Sequence, residues 1–149
     1  MTTPEPAARQ QRVIVVEDNV LVGKFFRMAL ERAGGFSCTV TEDVPAILSE
    51  VQNGEVDLVL LDLSLTNAQW EDRPIDGVEL CRILKLRSPR HLPVLLATAH
   101  AMSGDRERFL EASGADGYLE KPVFDSALLV EKVRQLIAQG ASWKSPEQF

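Results

Sequence analysis

The 149-residue chain has little that would mark a nucleic-acid binder, a membrane protein or a disulfide scaffold. Its formal net charge is −6, with 16 Lys and Arg against 22 Asp and Glu, and the basic residues form no run. A surface that tracks phosphate backbones needs clustered positive charge, so no direct nucleic-acid contact is expected. The longest apolar stretch, Val94 to Ala99 with its flanks, falls far short of a bilayer-spanning helix, so no membrane insertion is expected either. The opening residues, MTTPEPAARQQR, lack the apolar core of a secretion signal. Cys38 and Cys81 lie in apolar segments without CxxC spacing or a nearby histidine. That argues against a disulfide or zinc site and predicts two reduced core thiols in a cytoplasmic protein. There are no internal repeats and no low-complexity tract.

What the chain does have is alternation. Short apolar runs read as buried strands at Val13–Val16, Asp57–Leu61, Leu92–Ala97 and Gly117–Leu119, with a weaker one at Phe36–Val40. Helical segments separate them. Val20, Phe25, Met28 and Ala29 recur at helical spacing before Gly34-Gly35 stops the run. Val44–Val51 follows the capping residue Asp43, with Pro45 in the first turn. Gly77–Leu86, Asp105–Ala112 and Ser126–Ala138 complete five helices, the last capped by Asp125 or Ser126. Alternating strands and helices predict a parallel sheet covered on both faces, and right-handed crossovers make it a doubly wound α/β sandwich. The length suits one domain: residues 1–11 a disordered leader, 12–139 the domain, 140–149 a short tail. Between Ser64 and Asp76 run thirteen residues, SLTNAQWEDRPID, without clear periodicity. A loop that long sits at the surface and often carries function.

In such a sheet ligands bind outside the carboxyl ends of the strands. The first strand ends in Glu17-Asp18, the third in Asp62, the fourth in Thr98 and the fifth in Lys121-Pro122. Three carboxylates, a hydroxyl and an ammonium make a site for a hard cation and a phosphoryl group. Magnesium takes oxygen ligands octahedrally and keeps several waters, so Asp18 and Asp62 suffice as direct ligands while Glu17 holds a metal-bound water. A carboxylate can also attack phosphorus, giving an aspartyl phosphate. Repulsion between Asp62 and the incoming oxygens opposes that attack; the metal and Lys121 neutralise it. Thr98 can donate its hydroxyl to a phosphoryl oxygen.

These residues resemble the response-regulator receiver family of two-component systems over nearly the whole chain. The match runs from VIVVEDN through LVLLDLSL, DGVEL, VLLATA and GYLEKP to the last helix. The resemblance implies a flavodoxin-like (βα)5 three-layer sandwich with strand order 2-1-3-4-5. It implies a single-domain, chemotaxis-type regulator rather than an enzyme, phosphorylated by a histidine kinase or phosphotransfer protein. Asp62 would be the phosphoacceptor. Glu17, Asp18, Asp62 and the main-chain carbonyl of Ser64 would hold Mg2+, Lys121 would be the family's lysine, and Thr98 and Tyr118 would form the switch. Lys121-Pro122 is often cis in this family. The signal would leave through the fourth helix, fifth strand and fifth helix to a downstream protein. Two departures stand out: the family's loop before Asp-Gly is usually short, and His100 and Ser64 occupy positions that vary and influence the lifetime of the phosphorylated state.

Plainer readings compete. Glu17-Asp18 would suit the start of the first helix as caps. Thr98 would serve as a β-branched core residue, and Tyr118 as a buried anchor rather than a rotamer switch. His91 and His100 are expected at the surface, and Trp70 packed back on the domain. Two other functions are in play. DLSLT is similar to the haloacid-dehalogenase DxDxT, which would make the chain a phosphohydrolase, but Ser64 stands where the second Asp should protonate the leaving group. A receiver-like interaction module without phosphorylation is the other, supported by the long loop. A flavin site lacks its Ser/Thr/Gly-rich phosphate loop.

Overall fold

A computed structural model describes residues 10–99, 102 and 104–142. The expected leader and tail lie mostly outside these residues, and His100 lies outside them entirely. The elements run β1 (Arg12–Val16), α1 (Val20–Met28), a π-helical turn (Ala29–Ala33), β2 (Ser37–Val40), α2 (Val44–Gln52) and β3 (Leu58–Asp62). Then come β4 (Gln69–Trp70), β5 (Arg73–Pro74), α3 (Gly77–Arg87), β6 (Val94–Thr98), α4 (Asp105–Ser113), β7 (Gly117–Glu120) and α5 (Ser126–Ser142).

Five strands form one parallel sheet in the order β2-β1-β3-β6-β7, the expected 2-1-3-4-5 arrangement. Its three central strands are apolar between their ends because both faces are covered, whereas the edge strands β2 and β7 carry polar residues. Ile14, Val16, Val59, Leu61 and Leu96 point to one face, where Ile47 of α2 and Leu80 and Leu84 of α3 pack. Val13, Val15, Leu58, Leu60 and Leu95 point to the other, against Phe26, Leu30, Leu129 and Val133 from α1, its π turn and α5. Burial of these aliphatic side chains, roughly 1.5–3 kcal/mol each, is the main force holding the layers together. None of the described helices is long and apolar enough to cross a membrane.

Short side chains set the helix starts. Asp43 accepts from Ala46 N at 3.2 Å and Asp76 from Glu79 N at 2.8 Å. Asp125, rather than Ser126, caps α5, accepting from Ala127 N and Leu128 N. Two expectations about α1 are corrected. Asn19 is its cap, accepting from Val22 N at 3.0 Å, so Glu17 and Asp18 do not act as its cap. Its buried face is Gly23 and Phe26, continued by Ala29 and Leu30 of the π-helical turn, whereas Val20 and Met28 are exposed. Phe26 occupies the helical position that meets the sheet, and the apolar neighbours Val20 and Met28 misled the spacing.

The long connection is not structureless. Gln69–Trp70 and Arg73–Pro74 form a two-residue hairpin turned by Glu71 and Asp72, both at positive φ (54° and 63°). Positive φ at both central residues matches the right-handed twist of a tight hairpin. Glu-Asp is unusual there, and two-residue strands are too short to display alternation, so the pattern was hidden. Buried Ala68 and Ile75 anchor its base, with Ile75 N bonded to Ala68 O at 3.1 Å. Trp70 is half-buried against the core, 5.9 Å from the Arg87 guanidinium, so the packing expectation holds.

Candidate functional site

β1 lies between β2 and β3, and β3 between β1 and β6. This register sets the carboxyl ends side by side, with Val16 opposite Leu61 and Asp62 opposite Ala97. Glu17 and Asp18 therefore emerge next to Asp62, and one carboxylate oxygen from each of the three lies within 4.8 Å of the others. Thr98 ends β6, buried, and its carbonyl accepts from Lys121 N at 2.8 Å, which ties the end of β7 to the same edge. The Lys121-Pro122 bond is cis, as expected. Lys121 Nζ reaches Glu17 Oε1 at 2.9 Å and Asp62 Oδ2 at 3.3 Å. The other oxygen of Asp62, Oδ1, accepts from Ser64 N at 3.0 Å.

The helix after the hairpin must come very close to this group. A Cβ on Gly77 would stand 2.5 Å from the Asp62 carbonyl oxygen and 2.7 Å from Leu63 Cα. Only glycine lets the start of α3 pack beside the end of β3, which gives the Asp76-Gly77 pair its structural reason.

The electrostatics are those of a crowded acidic pocket in which Lys121 is the cation that the described residues place against Glu17 and Asp62. Glu17 and Asp62 are almost wholly buried, at 5% and 4% exposure. Burial first, then Asp62 nearby, pushes the Glu17 carboxyl up to about 7, with Lys121 pulling the other way. Burial works to lower the Lys121 ammonium, but the hydrogen bond to Glu17 and the charge of Asp62 outweigh it and hold it raised. One ammonium does not balance three carboxylates. The donor set is entirely hard oxygen, the chemistry that suits magnesium rather than a thiophilic metal, and the residues present fit that ion. Asp18 and Asp62 would bind it directly and Glu17 would hold one of its waters.

The structure thus brings Glu17, Asp18, Asp62 and Lys121 together, with the backbone of Ser64 against Asp62 and Thr98 on the same edge. Tyr118 is placed differently. Opposite Leu96 in β7, it belongs to the core cluster, its ring 6.5 Å from Phe109 at an interplanar angle of 11°. Its hydroxyl is buried without a partner among the described residues, and burial raises its pKa. The anchor reading of Tyr118 therefore describes its position. His91 is partly exposed at the surface rather than a ligand or base at the site, with Nε2 3.2 Å from Asp116 Oδ1. Asp116 also pairs with Lys85 and accepts from Val94 N, at the amino ends of β6 and β7, the edge opposite the carboxylates.

Two residues at the site were not foreseen. Thr66 Oγ1 donates to Asp18 Oδ2 at 2.5 Å. Glu42, just beyond β2, has its carboxyl raised by burial, Asp18 and Asp62 against a bond from the Asn67 backbone, and its Oε2 is buried without a partner among the described residues. The rule that strand ends carry the site would have found Glu42 had it been applied to β2 as well.

Comparison with known proteins agrees with this geometry. The family model described as the response regulator receiver domain matches residues 13–134. The transcriptional regulatory protein CseB of Streptomyces coelicolor is 37% identical over 130 residues, covering 87% of this chain and 50% of that protein. Hybrid signal transduction histidine kinase I of Dictyostelium discoideum is 35% identical over 133 residues, covering 87% of this chain but 7% of the kinase. The chain thus spans at most about half the length of these two relatives. Among solved structures, the receiver domain of sensor histidine kinase PA1611 from Pseudomonas aeruginosa PAO1, with a magnesium ion coordinated in its active-site cleft, superposes with a TM-score of 0.69. It is 27% identical, over 87% of this chain and 98% of that one. A CheY-like receiver from Methanospirillum hungatei shares the fold at a TM-score of 0.72 and 22% identity, over 89% and 97% of the two chains.

Proposed function

As the chain belongs to the response regulator receiver family, we propose that it accepts a phosphoryl group on Asp62 from a histidine kinase or phosphotransfer protein. The observation that carries this reading is the bracketing of Asp62: Lys121 3.3 Å from Oδ2, with Glu17 and Asp18 beside it. An Asp62 oxygen attacks the donor's phosphorus, the bond from phosphorus to the donor's leaving atom breaks, and the pair of electrons leaves with the donor. Magnesium, when bound, supplies positive charge to the phosphoryl oxygens. Asp18, Asp62 and the Ser64 carbonyl would hold it, with Glu17 acting through water. In this proposal Lys121, beside Asp62, would neutralise a phosphoryl oxygen, and Thr98, buried on the same edge, would donate to another. The near-burial of Asp62 demands a donor that reaches in closely. Val20 and Leu21, two and three residues after Asp18, and Phe124, three residues after Lys121, are large exposed apolar side chains that suit such contact.

Output in this proposal passes to a downstream protein through α4, β7 and α5. Movement of Thr98 toward the phosphoryl group opens room into which the Tyr118 ring shifts, and its unpartnered hydroxyl is consistent with a side chain not yet in its final place. The phosphohydrolase alternative has no support from the site: the position after Leu63 is Ser64, whose backbone N–H is bonded to Asp62, and no second acid stands there. Incubation with acetyl phosphate and magnesium followed by intact-mass measurement tests the proposal. One added phosphoryl group is expected, absent in Asp62→Asn and without chelator-sensitive turnover of phosphate esters. An unlabelled wild type, or equal labelling of Asp62→Asn, overturns it.

A further inference from the structure

Lys121 pairs with Glu17 and Asp62, while Asp18 takes its partner from the hairpin connection, the Thr66 hydroxyl. We propose that Thr66 is a positioning residue that fixes Asp18 for the metal and thereby ties the β4–β5 hairpin to the metal site. This inference rests on reading Asp18 as a magnesium ligand. A carboxylate turns easily about its last bond, and a ligand that must be turned into place binds more weakly than one already held. A donor on Oδ2 leaves Oδ1 for the cation and removes that freedom, the task that outer partners of metal ligands commonly perform. Neighbouring charge makes such a donor more necessary here, since Asp18 faces Glu17, Asp62 and, further out, Glu42.

Thr66 is itself held from both sides. Two residues before it, Ser64 N is bonded to Asp62 Oδ1; two residues after it, Ala68 is buried and paired with Ile75 at the base of the hairpin. The hydroxyl therefore reaches Asp18 from a short, doubly anchored stretch whose geometry the hairpin sets. Metal affinity and the state of the hairpin are then linked, each strengthening the other by the same factor. A protein that clasped the hairpin would tighten magnesium binding without touching a ligand.

Calorimetric titration of the full chain with magnesium chloride tests this, alongside metal-free thermal unfolding as a control on folding. Thr66→Val keeps the shape and removes the donor; it should weaken magnesium binding about 10-fold, while Thr66→Ser should stay within about 2-fold of wild type. Unchanged affinity in Thr66→Val overturns the proposal. If Thr66→Val also lowers the metal-free midpoint, Thr66→Ser decides: restored affinity supports the hydroxyl, and equal weakening assigns Thr66 a merely structural part. Asp18→Asn separates the two levels of inference. Should it bind magnesium as wild type does, the metal reading itself fails; should it lose binding while Thr66→Val keeps it, only the role of Thr66 falls.

Discussion

Glu17→Gln should make the metal-free protein more stable at pH 8 than the wild type. Glu17 titrates at about 7 in the fold against an ordinary value of 4.5, chiefly because it is buried and then because Asp62 is beside it. Between those two values the fold keeps a proton that the unfolded chain has already released. The contribution of this group is therefore complete below pH 4.5 and is lost as pH rises through about 7. At about 1.4 kcal/mol per pH unit, the loss amounts to about 3 kcal/mol. Glutamine imitates the protonated acid: its oxygen can still accept from Lys121 and its amide can donate to Asp62, with no charge to lose. In chelator, thermal unfolding of both proteins from pH 4.5 to pH 8 should show the advantage of the variant growing by about 6–12 °C. Magnesium should reverse the order, because the ion stabilises whichever protein binds it more tightly. A difference between the two midpoints that stays flat with pH, or grows in the opposite direction, would refute the reasoning.

Gly77→Ala should cost about 1–3 kcal/mol by chemical denaturation, since its Cβ meets the Asp62 carbonyl at 2.5 Å; phosphoryl uptake at Asp62 should fall with it. Tyr118→Phe should leave stability unchanged or raise it by about 1 kcal/mol, because it deletes a buried hydroxyl without a partner among the described residues; a clear loss in denaturation would mean that the hydroxyl is bonded. Deleting Gln69–Arg73 while keeping Ala68 and Ile75 should leave a cooperative unfolding transition, losing the Trp70–Arg87 contact of about 0.5–1 kcal/mol, and should change partner binding or the dephosphorylation rate of Asp62. Unchanged behaviour in both would make the hairpin a neutral insertion.

Periodicity disclosed the sheet because a strand buried on both faces must be apolar at every position, as Leu58–Leu61 and Val94–Ala97 are. The helices were legible where a short polar residue precedes them, at Asp43, Asp76 and Asp125. The first helix was harder: Val20 and Met28 match Phe26 and Leu30 in hydropathy, and only packing against β1 and α5 separates the exposed pair from the buried one. The hairpin was invisible because its turn, Glu71-Asp72, lacks the usual Asn-Gly, and its strands contribute two residues each. At the site, Glu17, Asp18, Asp62 and Lys121 could be named from their places at strand ends, since strand order alone brings those ends together.

The order of apolar runs and polar strand ends in the chain determined the doubly wound sheet and the acids that meet at its edge. Those features follow from local pattern and from the handedness of chain crossings, which act the same way wherever the pattern occurs. Tertiary structure alone decided how far Glu17 is withdrawn from water, that Thr66 reaches Asp18, that Glu42 joins the acids, and that Tyr118 lies against Phe109. Each of these depends on distances of a few ångströms between segments far apart in sequence, where burial and Coulomb interaction change steeply and no neighbouring residue records the outcome.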